Sequence, residues 1–342
     1  MNKFTKWLAV SFLISVVAMV GVLLYTVDLS TVEAIHQIKH EYIVAAFVLH
    51  LLSFVVWGMR TRAMSRALGY DVFLSRAIEI VTSSAFLASL TPSSVGGEPL
   101  RIHLLSNDGM PLGSATAVVL GERVLDAILI LVAAPVSLYL FRDVVASAWL
   151  ETVLVLGEVF MVAILFLLLY GLWRPDRMRL VVLWVLGRIV PLFREERRAR
   201  FSRLSDRIDA ELEEFHDGIY MFVKEKRTGL LQGILYTILF WAIEFSMLPV
   251  ILFGLDQHPS VLIMVAAQVL LMVVIVIPAT PGSSGVAELG ATTLFSVFVP
   301  TYLLGIVVVS WRAFTFYTNL LVGGFVSFKI LKDTSLLDEL LK

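Results

Sequence analysis

The chain has 342 residues, of which 58% are hydrophobic and 16% charged, and its mean hydropathy is +0.88. Soluble domains carry about 25% charged residues, so this composition belongs in a bilayer, and a net charge of −1 gives no global attraction to nucleic acid. The absence of cysteine excludes disulfides, thiol catalysis and cysteine metal ligands.

A membrane span needs about 20 consecutive apolar residues. In chain order, spans are predicted near 6–26, 42–59, 113–140, 149–173, 229–254 and 302–330. The first, from Trp7 to Tyr25, lacks a small-residue cleavage exit and is read as a retained helix. Two further apolar segments are broken: 77–107 around Pro92 and 259–299 around Pro281. The stretch 77–90 is too short to cross comfortably, which favours a re-entrant hairpin, whereas 259–278 is long enough either to re-enter or to span. The expected fold is an all-α integral membrane protein with about six spanning helices and two broken or re-entrant helical hairpins. It forms one polytopic domain over 1–342, with a first half (1–173), a cytoplasmic amphipathic loop (174–228) and a second half (229–342).

Charge orients this arrangement. With the N-terminus inside, nearly all 27 Lys and Arg fall on the cytoplasmic side, including Arg60, Arg62, Arg66, Arg76 and Arg101. Only Lys39 and Arg142 fall outside, while Arg123 and Arg312 lie within spans. That is a strong positive-inside bias, and six spans return the C-terminus to the cytoplasm of a prokaryotic cell membrane. The first hairpin then enters from inside and the second from outside, the relationship of an inverted repeat. Within the loop, Phe201, Leu204, Ile208, Leu212, Phe215, Ile219 and Phe222 recur at spacings of 3 or 4. This apolar helical face lies either on the anionic leaflet or against the bundle or a partner helix.

The two broken segments share a motif. The first reads Thr91-Pro92-Ser93-Ser94-Val95-Gly96-Gly97-Glu98 and the second Thr280-Pro281-Gly282-Ser283-Ser284-Gly285-Val286-Ala287-Glu288. Arg123 follows Pro92 by 31 residues, and Arg312 follows Pro281 by 31. Proline ends a helix and the turn leaves backbone N–H groups free. Helix N-termini near Gly97 and Gly285 would therefore carry partial positive charge and, with Arg123 and Arg312, cradle a phosphate or another anion. Glu98 and Glu288 would pair with these arginines in the empty site or bind a cationic headgroup. Arg101 is placed at the cytoplasmic mouth.

Further charges lie at membrane depth. Glu122 and Asp126 share one helical face, with Arg123 between them, and Glu244 interrupts an apolar run. Each such charge costs about 2.5–3.5 kcal/mol at a bilayer centre, so a wet bundle interior with mutual pairing is expected. The competing reading is structural: buried Arg/Glu pairs fix helix register and small residues let helices approach. The six histidines are scattered and are not read as a site. No zinc-protease H-E-x-x-H, Walker A or G-x-S-x-G sequence occurs.

The pattern Thr91-Pro92-x-x-x-Gly96-Gly97-Glu98-x-x-Arg101, Glu122-Arg123-x-x-Asp126, Thr280-Pro281-Gly282-x-x-Gly285-x-x-Glu288 and Arg312 resembles the lysylphosphatidylglycerol synthase transmembrane-region family. This is the flippase-like part of multiple peptide resistance factor proteins, and the resemblance covers nearly the whole chain. It implies translocation of a polar phospho- or glycolipid between leaflets, with the hairpins and buried charges forming the headgroup path. The soluble aminoacyl-transfer domain of full-length synthases has no counterpart here, so aminoacyl-lipid synthesis is not carried over. Neither a cofactor nor a metal is expected, and the implied partners are membrane lipids and a separate lipid-modifying enzyme. Two other functions stay open at this point: an intramembrane enzyme acting on headgroups, and a non-catalytic partner of a lipid synthase or glycosyltransferase.

Overall fold

The computed structural model describes residues 17, 20, 38–91, 96–141, 148–173, 214–218, 220–225, 227–276 and 283–333. The predicted span 6–26 lies outside these residues apart from two positions, as do most of the loop 174–228, Pro92, Thr280, Pro281 and Gly282. Among the described residues the regular structure is entirely helical.

Helix α1 runs His40–Ala67, α2 Leu74–Leu90, α3 Gly97–Asn107, α4 Leu112–Phe141 and α5 Ala148–Trp173. After a short π-helical turn at Met221–Glu225 come α6 Arg227–Gly254, α7 Val261–Ile275, α8 Val286–Phe295 and α9 Thr301–Arg312. A second π-helical turn, Ala313–Tyr317, joins α9 to α10, Thr318–Asp333. Among the described residues four helical stretches are long and apolar enough to cross a bilayer: α1, α4, α6 and the run Thr301–Ile330. The protein is an all-α integral membrane protein.

Local chemistry sets the ends. α1 closes with the Gly69 backbone at φ +93° and a Tyr70 N–H bond to the Ser65 carbonyl; α3 closes the same way at Gly109. These are left-handed C-terminal caps that use carbonyls the helix cannot satisfy itself. α6 ends on Asp256 in the left-handed region, with Gln257 N–H on the Leu252 carbonyl. The broken segments give short helices. α2 has 17 residues and α7 has 15, about 25 and 22 Å at 1.5 Å per residue. Both fall short of a hydrocarbon core of about 30 Å.

Packing exchanges parts between the halves. α1 packs against α6, α2 against α10, and α7 against α4. Each of α2 and α7 is therefore covered by a long span of the opposite half. Within each half, α2 contacts α3 and α3 contacts α4; correspondingly, α7 contacts α8 and α8 contacts α9. One apolar cluster joins Leu248, Leu252, Leu271, Phe295, Val308 and Trp311 of the second half. A second joins Met64, Ile80, Leu105, Val118 and Val119 of the first. Phe215 and Phe222 are buried in that second cluster, and Ser114 donates to Glu214 at 3.0 Å. Where the amphipathic loop is described, its apolar face packs on the bundle. Outward positions such as Val132, Phe166, Leu321 and Phe325 are large, apolar and exposed, as lipid-facing positions are.

Candidate functional site

The duplicated motif builds the same unit twice. Glu98 sits in the first turn of α3 and Arg123 on α4; Arg123 Nε donates to Glu98 Oε1 at 2.5 Å. Glu288 sits in the first turn of α8 and Arg312 ends α9; Arg312 Nε donates to Glu288 Oε1 at 2.9 Å. In both copies a first-turn glutamate, where a carboxylate is favoured by the helix dipole, holds the arginine that follows each break.

The free N–H groups expected at the breaks are partly taken by the motif itself. Thr91 bridges the first break, accepting from Gly96 N–H at 2.8 Å and bonding back to α2 carbonyls. Glu288 closes the second, accepting from Gly285 N–H at 2.6 Å. The glycines have local causes. A Cβ on Gly97 would lie 2.8 Å from the Ser84 carbonyl of α2, so its absence lets α3 fold back onto α2. Gly285 has φ +85°, a conformation costly to other residues.

Behind Arg123 lies a buried network. Arg60 Nη1 and Nη2 donate to the two Asp126 oxygens at 2.7 and 3.2 Å, and Arg60 also reaches Glu122 at 3.1 Å. Arg101 Nη2 donates to Glu122 at 2.5 Å. Thr61 and the Trp57 indole donate to Glu122, while the Trp241 indole donates to Asp126. Arg60, Arg101, Glu122 and Asp126 are all buried; two cations against two carboxylates, with these donors, offset much of the desolvation cost. Arg101 is thus buried against Glu122 and Trp57 rather than placed at a mouth. The local pairing of Arg123 with Asp126 is a 3.9 Å contact, weaker than the bond to Glu98.

Sequence reasoning missed Arg60, counting it in a loop because the predicted span stopped at 59. α1 continues to Ala67, and Trp57, Arg60, Thr61 and Met64 recur at helical spacing on its inner side. That spacing was the available signal.

One cavity of about 230 Å³ joins the halves. Both motif arginines line it, together with Ser89 and Ala88 near the end of α2, Ile275 at the end of α7, and Ser283 just after the second break. Glu244 lines it from α6, amid Trp57, Phe240, Trp241 and Phe316. Thus Arg123, Arg312 and Glu244 share one space, while Glu98 and Glu288 hold the arginines, and Glu122, Asp126 and Arg101 form the support behind. Among the described residues no cluster of three or more His, Asp or Glu is placed to hold a metal. An apolar groove of about 660 Å³ runs along α4, α6 and α7, lined by Leu125, Val132, Ile234, Ile238, Val265 and Val269.

The family described as lysylphosphatidylglycerol synthase TM region matches residues 8–323, and the chain belongs to it. Among its relatives is a UPF0104 membrane protein of Archaeoglobus fulgidus, 30% identical over 97% of this chain and 99% of that protein. A UPF0104 membrane protein of Methanothermobacter thermautotrophicus is 27% identical over 82% of each chain. Another, from Methanocaldococcus jannaschii, is 23% identical over 87% of this chain and 85% of that protein.

Proposed function

We propose that this family member moves a polar lipid bearing an anionic, phosphate-type headgroup between leaflets without nucleotide hydrolysis. The observation that carries this reading is the single cavity lined by both motif arginines. Arginines suit phosphate oxygens because guanidinium N–H groups form charge-assisted pairs with them. Each is held by one glutamate, so a headgroup can replace part of an existing pair and need not fill a bare buried charge. The apolar groove along α4, α6 and α7 gives an acyl chain a path beside the cavity.

The exchange of packing partners between halves supports an inverted repeat, with α2 and α7 as the long arms of two re-entrant hairpins whose flanking residues Ser89, Ile275 and Ser283 line the cavity. The distribution of Lys and Arg supports a cytoplasmic N-terminus.

The test is lipid scrambling in proteoliposomes, read by dithionite quenching of a fluorescent phosphatidylglycerol. Wild type is expected to exceed empty liposomes, with Arg123→Ala and Arg312→Ala each reducing the rate. If wild type moves every anionic and zwitterionic phospholipid only at the empty-liposome rate, the transport reading fails. Lipid extracts of a deletion strain would then reveal an enzyme if a headgroup structure is missing.

A further inference from the structure

Glu244 differs from the other membrane-depth carboxylates. Glu98, Glu122, Asp126 and Glu288 are each bound by an arginine. Glu244 instead faces His50 of α1, with Nδ1 and Oε1 3.3 Å apart. His50 is buried, and its Nδ1 has no hydrogen bond among the described residues; the Glu244 contact is its ion-pair neighbour.

The other ring nitrogen is chemically assigned. Asn319 Nδ2 donates to the Thr315 carbonyl at 2.7 Å. A carbonyl only accepts, so the Asn319 amide cannot be turned round, and its Oδ1 faces His50 Nε2 at 3.0 Å. Nε2 must therefore carry a hydrogen. With that proton fixed, Nδ1 stands against a carboxylate. If Nδ1 is bare and Glu244 ionised, two acceptors oppose each other in a buried site, which costs free energy.

We propose that His50 and Glu244 hold one exchangeable proton between Nδ1 and the carboxylate, and that this proton sets the charge of the central cavity. The consequence for transport rests on the reading above; the proton site itself does not. Glu244 is the exposed member, with its side chain 16% accessible against 4% for His50, and it lines the cavity. A hydronium in cavity water gives up a proton to Glu244; that proton passes to Nδ1, or is shared with it, and release runs the same path in reverse. With the proton bound, the pair is neutral. Without it, the pair presents one negative charge to the space that holds Arg123 and Arg312. An anionic headgroup and a proton therefore bind together.

The surroundings leave the assignment to this pair. α6 presents Glu244 to His50, α10 presents the neutral Asn319, and Phe54 of α1 covers the ring at 5.0 Å. Arg60 of α1 is committed to Asp126 and Glu122. Across the cavity, Arg123 of α4 and Arg312 of α9 are held by Glu98 and Glu288. Among the described residues no other charged side chain hydrogen-bonds or ion-pairs with His50.

Two measurements test this. In ¹⁵N-histidine, ¹³C-glutamate-labelled protein in nanodiscs, with His50→Gln identifying the resonance, the pair is expected to carry its second proton at pH 7. In Glu244→Gln, His50 is expected to be protonated on Nε2 alone. A bare Nδ1 beside an ionised Glu244 in wild type at pH 7 overturns the proton site. In proteoliposomes, an imposed pH gradient is expected to change the wild-type rate for phosphatidylglycerol, with loss of that response in both variants. Measurable wild-type transport that ignores the gradient overturns the coupling. Absence of any wild-type transport defeats the transport reading instead, and the spectra still decide the proton site.

Discussion

The two copies of the broken element make the same pair in different surroundings. In the second, Glu288 is fully buried and the Arg312 side chain only 5% exposed. Arg312 also stacks on Phe316, with its guanidinium 4.2 Å from the ring centroid, and Glu288 caps its own helix. In the first copy the Arg123 side chain is 36% exposed and lines the cavity, and the break is bridged by Thr91 instead of the motif glutamate. Behind it stands a buried charge network for which the described second half has no counterpart. Both copies keep the Arg–Glu pair, but the second is enclosed by an aromatic ring and its own helix cap while the first is partly open to the cavity.

The largest effect tests the network that backs the first copy. Arg60→Ala removes the bidentate partner of Asp126 and one partner of Glu122. It is expected to lower stability by about 5 kcal/mol, the upper end for breaking a buried ion pair, as read by thermal or denaturant unfolding in detergent. A loss under about 1 kcal/mol would mean that Arg101, Thr237 and the indoles carry the network without it, and the asymmetry between halves would be superficial.

Next come the motif arginines compared with each other. Arg312→Ala leaves Glu288 buried without its cation and is expected to cost about 3–4 kcal/mol. Arg123→Ala removes a side chain that is itself 36% exposed, and is expected to cost about 1.5–3 kcal/mol, in the range of a hydrogen bond to a charged group. Equal costs, measured under the same conditions, would break the distinction between an enclosed copy and one open to the cavity.

The glycines sharpen it further, because they are required for different reasons. Gly97→Ala drives a methyl against the Ser84 carbonyl and is expected to cost about 1–3 kcal/mol as overpacking. Gly285→Ala forces a left-handed backbone on alanine, at about 1–2 kcal/mol. Asparagine separates the two causes. At φ +85° and ψ −53° the Gly285 backbone lies outside the left-handed helical well that asparagine tolerates, so at 285 it is expected to cost about as much as alanine, and being larger, at 97 it is expected to be worse. The same ranking at both sites would show that one cause governs both.

Much of this arrangement was legible before any coordinates. Apolar run length gave four of the predicted spans, near 42–59, 113–140, 229–254 and 302–330, and Pro92 and Pro281 marked the breaks between α2 and α3 and between α7 and α8, since proline and apolar length act locally. The matched spacing pointed to the Arg123 and Arg312 units, and both arginines do pair with the motif glutamates. What escaped notice depended on contacts between distant segments. Arg60 looked like a loop cation because a charge ends an apolar run in sequence, whereas in the fold Asp126, 66 residues away, compensates it. His50 and Asn319 are 269 residues apart, so scattered histidines gave no pattern. The reach of Glu288 back to Gly285 was equally hidden, because the first copy has threonine in that role.

The smallest expected effect lies where the halves touch at the surface. Lys39, preceding α1, donates to Asp256 in the α6–α7 connection at 3.0 Å. That bond holds the Asp256 carboxyl below its usual range and raises the Lys39 ammonium. The sign follows for each group. The Asp256 contribution is present above the ordinary carboxylate pKa of about 3.9 and is lost as pH falls through the lower folded value. The Lys39 contribution is present below about 10.4 and is lost as pH rises through the higher folded value. Both side chains are well exposed, 46% and 76%, so salt screens the pair. The backbone bond from Lys39 N–H to the Gly254 carbonyl holds the same junction without any charge. Lys39→Met and Asp256→Asn in a double-mutant cycle should therefore show a slight coupling near neutral pH that vanishes in acid, once Asp256 is protonated, and in about 1 M salt, where the Debye length is about 3 Å. The buried Arg312–Glu288 coupling, measured alongside, should survive that salt. A surface coupling that also survives would mean that this exposed contact, and not only the buried pairs, fixes how the two halves meet.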